Sequence, residues 1–305
     1  MNKNLATLIG FSAILQWSSL VGLLKKISFS IGADLAVLLM YSLSTILLLV
    51  IFGLPKLSRI PKFYLYSATA LFLIYEICFS YAIALAKTAQ QAIEVSLVNY
   101  LWPSMTIAML ILFKELKFNI WVLVGLAISF AGVFYIQSGN GSIQLSHIIT
   151  NIETNPISYL LAFIGASLWS LYCVLTKKYS QGHNPIAFFF LAVSIVLWIK
   201  TLVFHSDQLP QLLTIEPQIL PYMLALAIMT GLGYAAWNIG IQQGNITLLV
   251  TLSYFSPIFS SILSMWILQS KLSSTFWVGA IMVTLGSFIC WLSTNWHLLQ
   301  RKSTL

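Results

Sequence analysis

Between Leu35 and Phe52 the chain runs eighteen residues without a charge, and segments of this kind recur along its length. Backbone in hydrocarbon must satisfy its amides and carbonyls within a helix or around a closed barrel. A barrel strand alternates apolar and polar residues over about ten positions, and these runs do not alternate. Helices are therefore expected. About twenty residues at 1.5 Å rise cross some 30 Å of hydrocarbon. Ten runs of roughly that length are present, at 5–24, 33–53, 63–86, 91–113, 119–137, 157–176, 184–204, 218–241, 246–269 and 275–296. The first has no small-residue cleavage site behind it and leads into further apolar runs, so it reads as a retained helix and not a signal peptide.

Only 7% of residues are charged, whereas a soluble domain carries about 25%. The formal net charge of +8 reflects how the chain sits in the bilayer. If the N-terminus is cytoplasmic, Lys3, Lys56, Arg59, Lys62, Lys114, Lys117, Lys177, Lys178, Arg301 and Lys302 fall on the inner side. Lys25, Lys26, Lys87, Lys200 and Lys271 fall outside, so the positive-inside bias favours both termini in the cytoplasm. The basic residues are scattered between apolar spans and form no patch for nucleic acid.

The chain is also a duplication. Residues 98–136 and 252–290 align without a gap at an offset of 154, matching Tyr100 to Tyr254, Pro103 to Pro257, Gly125 to Gly279 and Gly132 to Gly286. Earlier, Trp17-Ser18 and Lys25-Lys26 reappear as Trp169-Ser170 and Lys177-Lys178 at an offset of 152. Five runs per copy is an odd number, so the second copy enters the membrane from the opposite side. The expected organisation is all-α and integral to the membrane, with ten helices in two inverted five-helix repeats. The first repeat covers 1–137, an outer loop 138–156, the second repeat 157–296 and a cytoplasmic tail 297–305. Residues 146–154 could lie as a short interfacial helix, and 205–217 form a second outer loop. Inverted repeats that rock about a shared midplane site are the architecture of secondary transporters.

Two carboxylates fall inside runs, Glu76 and Glu94. A buried carboxylate costs several kcal/mol unless paired or neutral, which makes each a functional candidate for substrate-amine binding or proton coupling. A packing role, or for Glu94 simple solvation or pairing with Lys87, is the plainer alternative. Pro103 and Pro257 each remove a backbone hydrogen bond and leave carbonyls near Asn99 and Ser253 partly free, so both helices should kink at equivalent depths. These prolines are hinge candidates.

Aromatic residues beside polar neighbours supply the other candidates. Trp17, Tyr41, Tyr75, Trp102, Trp169, Tyr172, Tyr234, Trp237 and Tyr254 lie within runs, near Ser18, Ser42, Ser170, Ser253 and Asn238. Such a lining suits a ligand with a ring and a polar head. The substrate-binding set is Trp17, Tyr75, Glu76, Asn99, Tyr100, Trp102, Trp169, Tyr172, Tyr234, Trp237, Asn238 and Tyr254. Gly231 and Gly233, like the matched Gly pairs, are expected to serve close helix approach. Cys78, Cys173 and Cys290 are read as small core residues. His147, His183, His205 and His297 lie too far apart for a metal site. There is no Walker motif, and no metal, cofactor or obligatory protein partner is expected.

Ten helices in two inverted halves resemble the drug/metabolite transporter superfamily in its EamA-like branch. The stretch Gln91-Ala92-Ile93-Glu94-Val95 through Val98-Asn99-Tyr100-Leu101-Trp102-Pro103-Ser104 resembles its bacterial aromatic amino acid exporters, as do Tyr75-Glu76-Ile77-Cys78 and Tyr234-Ala235-Ala236-Trp237-Asn238. The resemblance implies export of Phe, Tyr and Trp across the bacterial inner membrane, some tolerance of methyl viologen-like aromatics, and a central cavity between halves. Superfamily members often carry an acidic residue after the fourth helix of each half; here these positions are Glu115 and Gln269, and no transport role is placed on them. Export of other metabolites or drugs is the nearest rival. A membrane enzyme on lipid-linked substrates would need clustered catalytic groups, and the seven acidic residues are scattered.

Overall fold

A computed structural model describes residues 2–115, 117–137, 149, 152–244, 249 and 252–300, with side chains described at all of these except 137, 177, 238, 241, 242 and 294–300. The secondary structure among them is helical, without a strand. The helices are α1 Lys3–Ile31, α2 Ala33–Phe52, α3 Lys62–Ala84, α4 Ala89–Asn99, α5 Trp102–Leu112, α6 Ile120–Gln137, α7 Pro156–Tyr179, α8 Ile186–Phe204, α9 Leu220–Gln243, α10 Ser256–Leu268 and α11 Ser274–Gln300. Among the described residues eight stretches are long and apolar enough to cross a membrane, one of them formed by α4 and α5 together; Ile120–Ile136 and Ser256–Leu268 are shorter apolar helices.

Local chemistry sets the boundaries. The Asn2, Thr88 and Asn155 side chains cap the first turns of α1, α4 and α7 by accepting from Asn4 N, Gln91 N and Ser158 N at 3.0, 3.0 and 3.3 Å. Gly32, at φ +82°, makes the whole connection between α1 and α2, a conformation that a side chain would oppose.

The α-helical hydrogen-bond pattern is interrupted by a turn at Tyr100–Leu101 and again at Tyr254–Phe255, although Leu101 and Phe255 keep right-handed helical dihedrals, and Pro103 and Pro257 are the second residues of α5 and α10. Proline is tolerated in a first turn because the amide it lacks would have had no intrahelical acceptor there. Each break is thus displaced toward the N-terminus of its proline, by the same amount in both copies. Segment 205–217, expected as a plain loop, winds into a 3-10 helix over Ser206–Thr214. The interfacial helix expected at 146–154 lies largely outside the described residues.

Between helices in lipid there is little hydrophobic drive, so small residues that admit close backbone approach decide the packing. α6 and α11 pack along matched glycines. A Cβ added to Gly125 would stand 2.5 Å from Gly286 O, and one on Gly132 would stand 2.7 Å from Gly279 O. The repeat equates Gly125 with Gly279 and Gly132 with Gly286, so each glycine meets the counterpart of the other. α1 and α9 approach in the same way, where a Cβ on Gly240 would lie 2.5 Å from Gly10 Cα. α3 packs on α7, α1 on α10, α7 on α4 and α5, and α2 on α8.

The largest core cluster lies between α1, α2, α3, α8 and α9, around Tyr41, Phe72, Phe189 and Phe190. Cys78 and Cys290 are buried and Cys173 is half-buried, with the Cys290 thiol donating to Val122 O at 3.4 Å.

Candidate functional site

The apolar run that forms α3 carries Glu76 into the middle of the bundle, where it is 7% exposed. Desolvating a carboxylate is costly unless donors replace water. Two tyrosines do so. The Tyr41 hydroxyl, from α2, donates to Glu76 Oε2 at 2.5 Å, and the Tyr234 hydroxyl, from α9, donates to Oε1 at 2.8 Å. Ser80 Oγ lies 2.9 Å from the Tyr41 hydroxyl and extends the network along α3. Among the described residues no Lys, Arg or His pairs with Glu76. The carboxylate therefore meets neutral donors from helices of both copies and no counter-charge.

Aromatic rings continue outward from this point. Trp17 of α1 meets Tyr234 edge-on at 5.1 Å and Trp237 at 5.6 Å between centroids. On the other side Tyr75 lies 4.6 Å from Trp169, which stacks on Tyr172 at 4.8 Å and meets Trp102 edge-on at 6.2 Å. Phe72 joins the two groups, at 6.0 Å from Tyr234 and 6.4 Å from Trp169. Trp17, Tyr75, Glu76, Trp102, Trp169, Tyr172, Tyr234 and Trp237 thus gather in one cluster. Ser170 Oγ donates to Trp102 O at 3.0 Å and fixes α7 against the start of α5.

Two buried polar atoms here have no hydrogen-bond partner among the described residues, Trp17 Nε1 and Asn99 Oδ1. Such atoms are uncommon in native interiors and call for an explanation. Asn99, 3% exposed, ends α4 at the helix break, and its Oδ1 faces the groove left by Gly165 on α7. The Trp17 indole lies where a side chain on Gly233 would stand, since a Cβ there would be 2.6 Å from Nε1. One unsatisfied atom is a donor and the other an acceptor.

Other candidates go elsewhere. Tyr254 packs on Trp291 at 6.2 Å in a separate cluster with Ile107, Val122 and Cys290, and Tyr100 belongs to a cluster around Leu97 and Leu101. The Asn238 side chain lies outside the described residues. Glu94 accepts from Gln90 Nε2 at 2.7 Å and from the Tyr159 hydroxyl at 3.4 Å, in a polar group with Gln91, Thr154 and Asn155 beside a cavity of 330 Å³. Glu115 pairs with Lys178 at 3.1 Å on the surface.

Sequence reasoning missed Phe72, Ser80, Phe189 and Phe190, and offered Tyr41 only as one aromatic among nine. Phe189 and Phe190 sit in an unbroken apolar stretch with no polar neighbour to mark them, yet Phe190 lies 5.7 Å from both Tyr41 and Tyr234.

Comparison with known proteins adds a family. Residues 156–292 match the EamA-like transporter family. The aromatic amino acid exporter YddG of Salmonella typhimurium (strain 14028s / SGSC 2262) is 43% identical over 295 residues, covering 97% of this chain and 99% of that protein. The protein of the same name from Escherichia coli (strain K12) is 42% identical with the same coverage, and that of Ancylobacter novellus is 26% identical, covering 86% and 88%. A solved crystal structure superposes with a TM-score of 0.64 at 22% identity, covering 96% of this chain and 99% of its own, a likeness of fold alone.

Proposed function

This chain belongs to the EamA-like transporter family, and from that premise we propose that it exports the aromatic amino acids Phe, Tyr and Trp by alternating access. It is a transporter and not an enzyme. The relatives of 42–43% identity over nearly their whole length support the substrate class. Methyl viologen-like aromatics fit the same lining.

The scaffold is proposed as two inverted repeats, 1–137 and 157–296, of five helices each, in the bacterial inner membrane with both termini cytoplasmic. The crossed glycine contacts of α6 and α11 support this, because a two-fold axis between matched segments pairs each residue with the counterpart of its neighbour. So does the exchange of α1–α9 for α7–α3.

An aromatic amino acid needs a flat apolar slot, an acceptor for its ammonium and a donor for its carboxylate. The Glu76 cluster offers all three, and this single observation carries the site assignment. The ring packs among Trp17, Tyr75, Trp102, Trp169, Tyr172, Tyr234 and Trp237. Glu76 and Asn99 Oδ1 receive the ammonium, and Trp17 Nε1 donates to the carboxylate. Tyr100 and Tyr254 act from further along the path, beside the helix breaks at which Pro103 and Pro257 serve as hinges, and Asn238 is retained in the binding set on the sequence reading alone. Glu94 would serve proton coupling on the outer side.

Counterflow of labelled Phe in proteoliposomes tests the reading, with the other amino acids as competitors and a pH gradient imposed or collapsed. Strong competition by Tyr and Trp, and weak competition by Thr, is expected. Equal competition by Thr overturns the substrate assignment. An unchanged rate and pH dependence in Glu76→Gln removes Glu76 from the mechanism.

A further inference from the structure

The ends of α2 and α8 are treated differently at the two faces of the membrane. At the face opposite the N-terminus, Asp34 in the first turn of α2 pairs with Lys200 near the end of α8. The Tyr81 hydroxyl, from the end of α3, donates to Asp34 Oδ1 at 2.7 Å and accepts from Lys200 Nζ at 2.9 Å, while the ammonium also lies 4.6 Å from the centre of the Tyr81 ring. His205 Nε2 stands 3.7 Å from Asp34 Oδ2. Asp34 and Tyr81 come from one half of the chain, Lys200 and His205 from the other.

The internal repeat gives three of these four positions a counterpart in one cavity at the opposite face, while Lys200 corresponds at an offset of 152 to the fully buried Leu48. At an offset of 152 Asp34 corresponds to Ile186 and His205 to Gly53; at 154 Tyr81 corresponds to Ala235. Those three residues, with Phe52 and Asn184, line a cavity of 250 Å³ between the ends of α2, α8 and α9. One junction of a symmetric pair is thus closed by charge, and the other is apolar and open. The ion pair between halves on the open face, Lys178–Glu115, is exposed and joins α7 to the segment after α5, and neither residue lines this cavity.

We propose that Asp34, Tyr81, Lys200 and His205 form a latch that holds the two halves together at the face opposite the N-terminus, and that its opening is coupled to closure of the apolar junction at the other face. The latch rests on the alternating-access reading. Partly buried, it is less screened by solvent and salt than a surface pair. Among the described residues its uncharged counterpart has no equivalent ion pair, so the latch biases the resting protein toward opening at the N-terminal face.

The test measures spin-label distances in nanodiscs, with one label pair at Ser30 and Val203 across the latch and another at Leu54 and Asn184 across the cavity. Asp34→Asn and Lys200→Gln should each shift the ratio of short to long Ser30–Val203 distances by about tenfold toward long, with the Leu54–Asn184 distances shortening, as expected for loss of one state-specific contact. The exchange Asp34→Lys with Lys200→Asp should restore the original ratio, which separates a latch from misfolding. Unchanged distributions in both single variants, or no recovery in the exchange, overturn the latch. Added Phe reads separately on the parent reading: if it moves no distribution in any variant, the transport site is wrong, while the latch is judged by the substrate-free data.

Discussion

The Tyr234 hydroxyl reaches across 2.8 Å from α9 to the Glu76 carboxylate on α3, so a single hydrogen bond joins the second half of the chain to the buried acid of the first. With Tyr41 it gives Glu76 one donor per oxygen, and the pair substitutes for water at a carboxylate buried in the bundle.

Tyr234→Phe removes one donor and leaves the ring packed against Trp17, Phe72 and Phe190. A hydrogen bond to a charged group is worth about 1.5–3 kcal/mol, so Phe counterflow should fall about tenfold or more while expression holds. Counterflow rates normalised to protein content check this; an unchanged rate shows that the bond is not used in transport.

Gly233→Ala should fail where Gly231→Ala succeeds. A Cβ at 233 would stand 2.6 Å from Trp17 Nε1, whereas at 231 its nearest neighbour is 3.5 Å away. Overpacking of this kind costs about 1–3 kcal/mol. Thermal unfolding in detergent should show a lower midpoint for the 233 variant, with the 231 variant close to the parent.

Gly286→Ala presses on the α6–α11 contact, where the added carbon would lie 2.4 Å from Gly125 O and 2.7 Å from Ser129 N. Backbone cannot swing aside as a side chain can. The helices must separate, and yield and monodispersity in size-exclusion chromatography should drop. Elution identical to the parent would show that the contact is looser than described.

Trp17→Phe keeps an apolar ring and deletes the unpartnered indole donor. If that donor meets the substrate carboxylate, competition by Phe should weaken about tenfold, the loss of roughly one hydrogen bond to a charged group. Competition by phenethylamine, which has no carboxylate, should be unaffected. Equal weakening for both ligands would assign Trp17 to ring packing only.

The sequence by itself determined that the chain is a bundle of apolar, membrane-spanning helices and that it is disturbed near Pro103 and Pro257, because both rest on local rules. Apolar length decides a span, Pro103 and Pro257 each remove a backbone hydrogen bond, and Gly125 and Gly286 permit close approach. Which residues face one another was decided only by the tertiary structure. On α2, Ile46 and Val50 are 59% and 79% exposed while Leu38 and Leu48 are fully buried. Both faces are apolar because lipid replaces water on the outside, so hydrophobic periodicity cannot tell the inner face from the outer. For that reason Phe190 joined the site unannounced, and Tyr41 stood out only as one aromatic among nine. Matched sequence positions did not secure matched surroundings either, since Tyr254 packs on Trp291 and Tyr100 beside Leu101. The contacts of Glu76 came from the way in which the two halves of the chain pack.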